Sequence, residues 1–348
     1  MRVLLAIALL GACGGTGKAG DHIAIDGAGP DSPASVIPPN TWTFVPVTGT
    51  TCGDGSPAAI AVNGSPNASG DLFVYFEGGG SCWDENTCFT IKSAVRIDAP
   101  YDLAAFQKEL PALSSSPIFA RGTAANPFKD ATYVYVPYCT GDLHAGTRVA
   151  TYGAHTVHHT GFTNTQAFVA GILPSLPHVD RIWVTGSSAG GYGATFDMSI
   201  FAGAWPSAQV HVLQDSSPFV PVLAAYDVWQ SAWSLVFPAG CTGCSTSFPK
   251  VIDAITAAHP QSRIGLLTFR EDMVIKQFFA YSGSLAPAID NLVSTQYAHA
   301  TTHAFELDGT THTMIGQYAT LTGPGGIKLS DWVAQWATGD AAWATVKP

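Results

Sequence analysis

Arg181-Ile182-Trp183-Val184-Thr185-Gly186-Ser187-Ser188-Ala189-Gly190-Gly191 joins an apolar, β-prone run to a Gly-x-Ser-x-Gly motif. Ile, Trp, Val and Thr fit a pleated, buried strand. A helical pattern follows over residues 194–201, so Ser188 stands between a strand and a helix. In that context the turn is so tight that the nucleophile takes a strained backbone conformation, and only glycine at the flanking positions avoids collision. A chain with 36 Gly produces the motif by chance as a plain turn. The strand before it and the helix after it set this copy apart, and Ser188 is the candidate nucleophile.

Outward from this motif, short apolar runs alternate with helical patterns. Strands are expected over residues 41–47, 58–62, 72–76, 133–137, 209–213, 263–269 and 303–307, besides 181–185. Helices are expected over 165–176, 220–236, 251–259, 274–281 and 330–343, besides 194–201. This order predicts an α/β fold, a mostly parallel, doubly wound sheet flanked by helices, as one domain over residues 41–348. Residues 237–249 read as a small insertion clipped by cysteines.

A serine hydroxyl needs a base to take its proton, and the base needs an acid to hold its tautomer. In hydrolases of this type the order is Ser, then Asp or Glu, then His. Asp272 follows the strand ending at Phe269, and His312 follows the strand ending near Leu307. Glu271 and Asp215 compete for the acid position. His303 stands at the start of its strand and belongs to the opposite edge of the sheet. A neutral base is required, so activity is expected to fall on acidification.

The tetrahedral intermediate needs backbone N–H donors. Ala189, next after the nucleophile, supplies one. Glu77-Gly78-Gly79-Gly80 follows the strand at residues 72–76, and a glycine run there lets the amides turn inward.

Composition narrows the function class. Lys+Arg 15 against Asp+Glu 25 gives a formal charge of −10, which disfavours nucleic acid as a partner. Hydrophobic residues at 47 % and charged ones at 11 % argue for a folded chain rather than a disordered one. Beyond residue 10 no run approaches the ~20 apolar residues of a spanning helix. Met1-Arg2 and the apolar residues to Leu10 read as a signal peptide over residues 1–12. Its ending, Leu10-Gly11-Ala12-Cys13, resembles the bacterial lipobox, which makes Cys13 a candidate lipidation site. Residues 13–40, rich in Gly, Pro, Ser and Asp, read as a flexible tether. The expected location is outside the cytoplasm, as an outer-membrane, cell-surface or periplasmic lipoprotein or a secreted protein. Membrane contact is expected only through the N-terminal anchor, and the protein is expected to be a monomer.

Without Cys13 six cysteines remain, an even number in an exported chain, and disulfides are expected. The close pairs Cys82/Cys88 and Cys241/Cys244 suggest local loops, which leaves Cys52 with Cys139. No metal site is expected. Cys241-Thr242-Gly243-Cys244 lacks a second ligand pair at finger spacing, and His155, His158 and His159 have no carboxylate or cysteine at ligand spacing. They are read as loop residues.

Several strings together resemble the pectin acetylesterase and Notum family: Cys52-Gly-Asp-Gly-Ser-Pro57, Phe76-Glu-Gly-Gly-Gly-Ser-Cys82-Trp83 with Cys88 following, Asn126-Pro-Phe128, Val136-Pro-Tyr-Cys139-Thr-Gly-Asp142, the Ser188 motif, and Gln214-Asp215-Ser-Ser217. They occur in family order from about residue 41 to 315. The resemblance implies an α/β-hydrolase fold, no metal or organic cofactor, Ser188, Asp272 and His312 as a triad, and Gly79, Gly80 and Ala189 around the oxyanion. It also supports a Cys82/Cys88 bridge holding the oxyanion loop. Two positions depart from the pattern. The family acid stands within one or two residues of a strand-end aromatic, whereas Asp272 is three beyond Phe269, and Gly80 stands where Notum-type relatives carry Trp.

The expected substrate is an O-acyl, chiefly O-acetyl, ester on a carbohydrate such as pectin or a neutral glycan. Trp83, Trp229 and Trp233 lie in segments near the expected mouth, where they could stack on sugars or, at helical spacing, belong to the core. A lipase, polyester or protein-lipid deacylase of the same fold is an alternative, as is a surface lipoprotein that binds a ligand with little catalysis.

Overall fold

The computed structural model describes residues 37–123 and 125–348. The expected signal peptide, Cys13 and most of the tether lie outside the described residues. Among the described residues, eight strands form one sheet in the order β1 (Trp42–Pro46), β2 (Ala59–Asn63), β4 (Thr132–Val136), β3 (Asp71–Phe76), β7 (Arg181–Ser187), β8 (Gln209–Asp215), β9 (Ile264–Phe269) and β10 (Thr302–Leu307). β2 is antiparallel to both β1 and β4. From β4 to β10 every pairing is parallel. Helices cover both faces, so β4 and β9 are buried along their whole length and read as near-continuous apolar runs, with Thr132 and Thr268 the polar exceptions.

The parallel arrangement brings the carboxyl ends of β3, β7, β8, β9 and β10 to one edge. Ligands of open α/β sheets bind outside that edge, and the loops leaving it carry Gly78–Gly80, Ser188, Asp215, Asp272 and His312. The helix after Ser188, α3 (Ala189–Phe196), begins five residues earlier than the sequence pattern suggests. Its glycines are poor helix formers, but they let it lie against the sheet. A Cβ on Gly191 would meet Ser217 Oγ at 1.9 Å. α3 stops at Asp197, and α4 (Met198–Ala204) continues where a single helix over 194–201 was expected.

Two helices that the pattern did not suggest are α1 (Leu103–Ser115), with Pro111 inside it, and α8 (Ala286–Gln296). A hairpin, β5 (Arg148–Tyr152) with β6 (His155–His159), corrects the reading of His155, His158 and His159 as loop residues. Most of its side chains face solvent, so the apolar alternation is carried by little more than Ala150 and Val157. The helix expected over 220–236 is shorter, α5 (Leu223–Trp233). Its Trp229 and Trp233 stack at 5.2 Å, fully buried, and belong to the core rather than to a cleft.

Disulfides join Cys52 to Cys139, Cys82 to Cys88 and Cys241 to Cys244. No helix among the described residues is long and apolar enough to cross a membrane.

Candidate active site

Ser188 adopts φ 56° and ψ −123°, a region that L residues other than glycine rarely enter. The turn is held from behind, with Ser188 N–H donating to the Asp215 carbonyl at 2.7 Å. Both motif glycines are required by close approach. A Cβ on Gly186 would lie 2.4 Å from Gly190 O, and one on Gly190 would lie 2.0 Å from Phe76 O. Ser188 Oγ makes no hydrogen bond among the described residues and is partly exposed.

The loop after β9 ends in Asp272, which is fully buried and caps α7 (Met273–Phe278). Its Oδ1 accepts from Val274 N at 2.9 Å and Ile275 N at 3.1 Å. Its Oδ2 lies 2.8 Å from His312 Nδ1. With Nδ1–H donated to the carboxylate, Nε2 is the nitrogen left to accept a proton.

The two competing acids lie elsewhere. Glu271 turns outward to Lys276 Nζ at 2.9 Å, Leu285 N at 3.2 Å and the Ser284 hydroxyl. Those bonds, that from Ser284 foremost, hold its carboxyl down to about 2. Asp215 is buried beneath the loop that carries His312. It accepts from Met314 N at 2.7 Å and Ile315 N at 3.1 Å, while Ser216 Oγ accepts from Thr313 N at 2.9 Å. Asp215 Oδ2 also accepts from Ser187 Oγ at 2.6 Å, and that hydroxyl accepts from Tyr75 at 2.8 Å. Burial raises the Asp215 carboxyl, and these donors oppose the shift. Asp215 therefore anchors both the serine turn, through its carbonyl, and the histidine loop, through its carboxylate. The sequence order could propose Asp215 only as a rival acid, because an anchoring role through backbone N–H groups leaves no residue-type signature.

Gly78 packs directly behind Ser188, where an added Cβ would stand 2.4 Å from Ser187 O and 3.1 Å from Ser188 Cβ. Gly80 then forms an antiparallel bridge with Ala94, flanked by Val95 N to Gly79 O at 2.9 Å and Ser81 N to Ser93 O at 3.1 Å. In such a pair the bridged residues themselves point their N–H and C=O away from each other. That leaves the Gly80 amide without a partner, and the amides of Gly79 and Ala189 likewise have none among the described residues. Gly80, with φ 77°, also explains the departure from Trp at this place. A Cβ there would meet Ser93 O at 2.0 Å and Phe278 Cζ at 2.9 Å, so the ring of Phe278 stands beside the loop instead.

Past the Cys82–Cys88 disulfide, half-buried Trp83 walls a cleft of about 540 Å³ that also includes Asp84, Arg148, Tyr152 and Asp227. The hairpin brings a ring nitrogen of His159 within 4.8 Å of the Cys82 and Cys88 sulfurs, a proximity invisible in sequence spacing. The two sulfurs are bonded to each other. The imidazole, kept neutral by burial that lowers it to about 4, lies 2.7 Å from Thr140 O and 3.1 Å from the Tyr152 hydroxyl.

A mostly parallel sheet with a strained serine between strand and helix, and with acid and histidine after later strands, defines the α/β hydrolases. The chain belongs to the pectinacetylesterase family, whose model matches residues 40–234, more than half of its length. It is 28% identical over 177 residues to the palmitoleoyl-protein carboxylesterase notum1' of Xenopus laevis, a match covering 49% of this chain and 35% of that protein. It is 29% identical over 149 residues to the palmitoleoyl-protein carboxylesterase NOTUM of Schmidtea mediterranea, covering 42% of this chain and 27% of that one. The chain thus spans about a third of the length of the curated relatives it matches. Among solved structures it resembles the Wnt deacylase Notum from Drosophila, with TM-score 0.67, 17% identity, and coverage of 88% of this chain and 96% of that one. At that identity the likeness speaks for the fold.

Proposed function

We propose that this protein is an exported serine carboxylesterase in which Ser188, His312 and Asp272 form the triad and the amides of Gly79, Gly80 and Ala189 form the oxyanion hole. The observation that carries the reading is the convergence, at one sheet edge, of a strained serine, a buried Asp272–His312 pair and amides without partners. His312 Nε2 takes the Ser188 proton as Oγ attacks the ester carbonyl. The developing oxyanion meets the three N–H groups, each donor of this kind contributing a factor of about 10²–10³. His312 then protonates the leaving alcohol, and water, activated the same way, releases the acid. Asp272 holds the ring and favours the imidazolium.

The substrate in this reading is a short-chain O-acyl ester on a carbohydrate. Phe278 beside Gly80 narrows the space at the acyl carbonyl, and the cleft past Trp83 offers an aromatic face with charged hydrogen-bonding groups of both signs. The likeness to the palmitoleoyl-protein carboxylesterases of Xenopus and Schmidtea favours a second reading, removal of a long acyl chain from a protein. Export is supported by three disulfides and by the expected signal peptide, with Cys13 as the lipidation site of a surface or periplasmic lipoprotein.

Hydrolysis of p-nitrophenyl esters from acetyl to hexadecanoyl, beside Ser188→Ala, tests both. Acetyl preference that disappears in the variant fits the first reading, and long-chain preference moves the function to lipid or protein deacylation. Turnover that does not depend on Ser188 sinks the esterase mechanism.

A further inference from the structure

The oxyanion loop is not held by its own sequence, since three consecutive glycines have no intrinsic preference for one conformation. What fixes it is the segment Ser93–Arg96, laid against Gly79–Ser81 through the Gly80–Ala94 bridge. Val95 N–H takes the Gly79 carbonyl at 2.9 Å. A trans peptide points its C=O and N–H in opposite directions, so this bond sends Gly80 N–H to the other side of the loop.

Arg96 closes the segment. It sits at φ 51°, a left-handed conformation unusual for arginine. Its guanidinium pairs with Glu77, the residue immediately before the glycines, and with Glu109 Oε1 of α1 at 2.5 Å. Its Nε donates to the Tyr138 carbonyl at 3.0 Å, while Tyr138 N donates to Glu77 Oε2 at 2.7 Å. The Glu77 carbonyl is tied separately to His144 Nε2 at 2.8 Å. All three charged side chains are about four-fifths buried, so solvent screens them weakly. The latch thus joins both ends of the oxyanion device, the residue that enters the glycine run and the segment that turns its amide.

We infer that Arg96, through Glu77 and the Ser93–Val95 segment, is a positioning residue that holds the Gly80 N–H in its oxyanion-binding direction. This rests on the serine-esterase reading. Losing the latch leaves ester binding intact and weakens stabilisation of the tetrahedral state.

The test compares Arg96→Met, Arg96→Gly and Arg96→Lys by kcat and KM on p-nitrophenyl acetate and by inhibition with phenylboronic acid, which bonds to Ser188 Oγ as a tetrahedral anion. Arg96→Met should lower kcat about 10²-fold, the scale of one oxyanion donor, with KM changed less than about 3-fold. Boronate affinity should fall in parallel, and Arg96→Lys should recover part of both. Arg96→Gly separates the latch from the turn, because glycine accepts the left-handed backbone and removes only the guanidinium. If Arg96→Gly keeps wild-type kcat and boronate affinity, arginine serves the turn alone and the inference is overturned. It is also overturned if kcat falls while boronate affinity holds. Should Arg96→Met fail to fold, Glu77→Gln, which keeps an acceptor for Tyr138 N, must show the same direction of change. Failure of the esterase reading looks different, as hydrolysis by Ser188→Ala would persist whatever residue 96 is.

Discussion

Asp272 uses its two oxygens for two tasks, and they can be separated. One caps α7 and the other holds His312. Asp272→Asn keeps a capping oxygen but cannot both cap and accept from Nδ1–H. It should lose kcat by about 10⁴-fold with a near wild-type melting temperature. Asp272→Ala should add a stability loss of about 1 kcal/mol from the missing cap, measurable by urea denaturation. If the two variants are equally stable, the cap contributes nothing. Chain order and strand ends were enough to name Asp272 and His312 in the sequence. The unusual distance of Asp272 from Phe269 has a backbone cause. Arg270 N donates to Leu307 O at 2.9 Å and Glu271 N to Gly309 O at 3.0 Å, so the chain stays paired for two further residues before it turns inward.

At the scale of elements, the loops are braced by groups whose role depends on the neighbouring strand rather than on local sequence. Asp215→Asn replaces one acceptor oxygen with a donor facing either the Met314 amide or the Ser187 hydroxyl and Ile315 amide. The histidine loop should loosen, with kcat on p-nitrophenyl acetate falling at least about 10-fold, since 1 Å of misplacement costs up to about 10². An unchanged kcat would remove Asp215 from the positioning machinery. Glu271 ties the end of α7 to the start of α8, and its carboxyl is lowered from the ordinary 4.5 to about 2, first by Ser284 and then by Lys276. A depressed carboxyl contributes stability that is complete above its unfolded value and is lost as pH falls through its folded one. Wild type should therefore lose stability between about pH 4.5 and 2, and Glu271→Gln should show a shallower slope in acid titrations followed by circular dichroism. Elements with strong apolar patterns were legible in sequence. The β5–β6 hairpin and α1 were not, because the first is mostly solvent-facing and the second contains Pro111.

Across the whole molecule, the Cys52–Cys139 bridge links the chain before β2 to the loop after β4 over a separation of 87 residues. Gly53 N–H donates to the Cys139 carbonyl at 2.7 Å beside it. Closing a loop of that length restricts the unfolded chain by ~4–5 kcal/mol in the chain-entropy view. The paired substitution of Cys52 and Cys139 by Ala should lower unfolding free energy on that scale in guanidinium titrations, whereas Cys241 and Cys244, three residues apart, should matter far less. The strand order, with sequence-distant β3 and β7 side by side, could not be read from the chain, because pairing depends on the packed faces. Glycine spacing and the order of strand ends still put Ser188, Asp272 and His312 at one edge of the sheet, the edge at which the structure has them.

In the proposed mechanism one serine, Ser188, carries the chemistry. Treating the protein with a fluorophosphonate ester and mapping the adduct by peptide mass spectrometry tests it directly. The expected result is one phosphonylated peptide, modified at Ser188, with loss of p-nitrophenyl acetate hydrolysis in proportion to labelling. Hydrolysis that survives complete labelling of Ser188, or a label that inactivates from another residue, would contradict it.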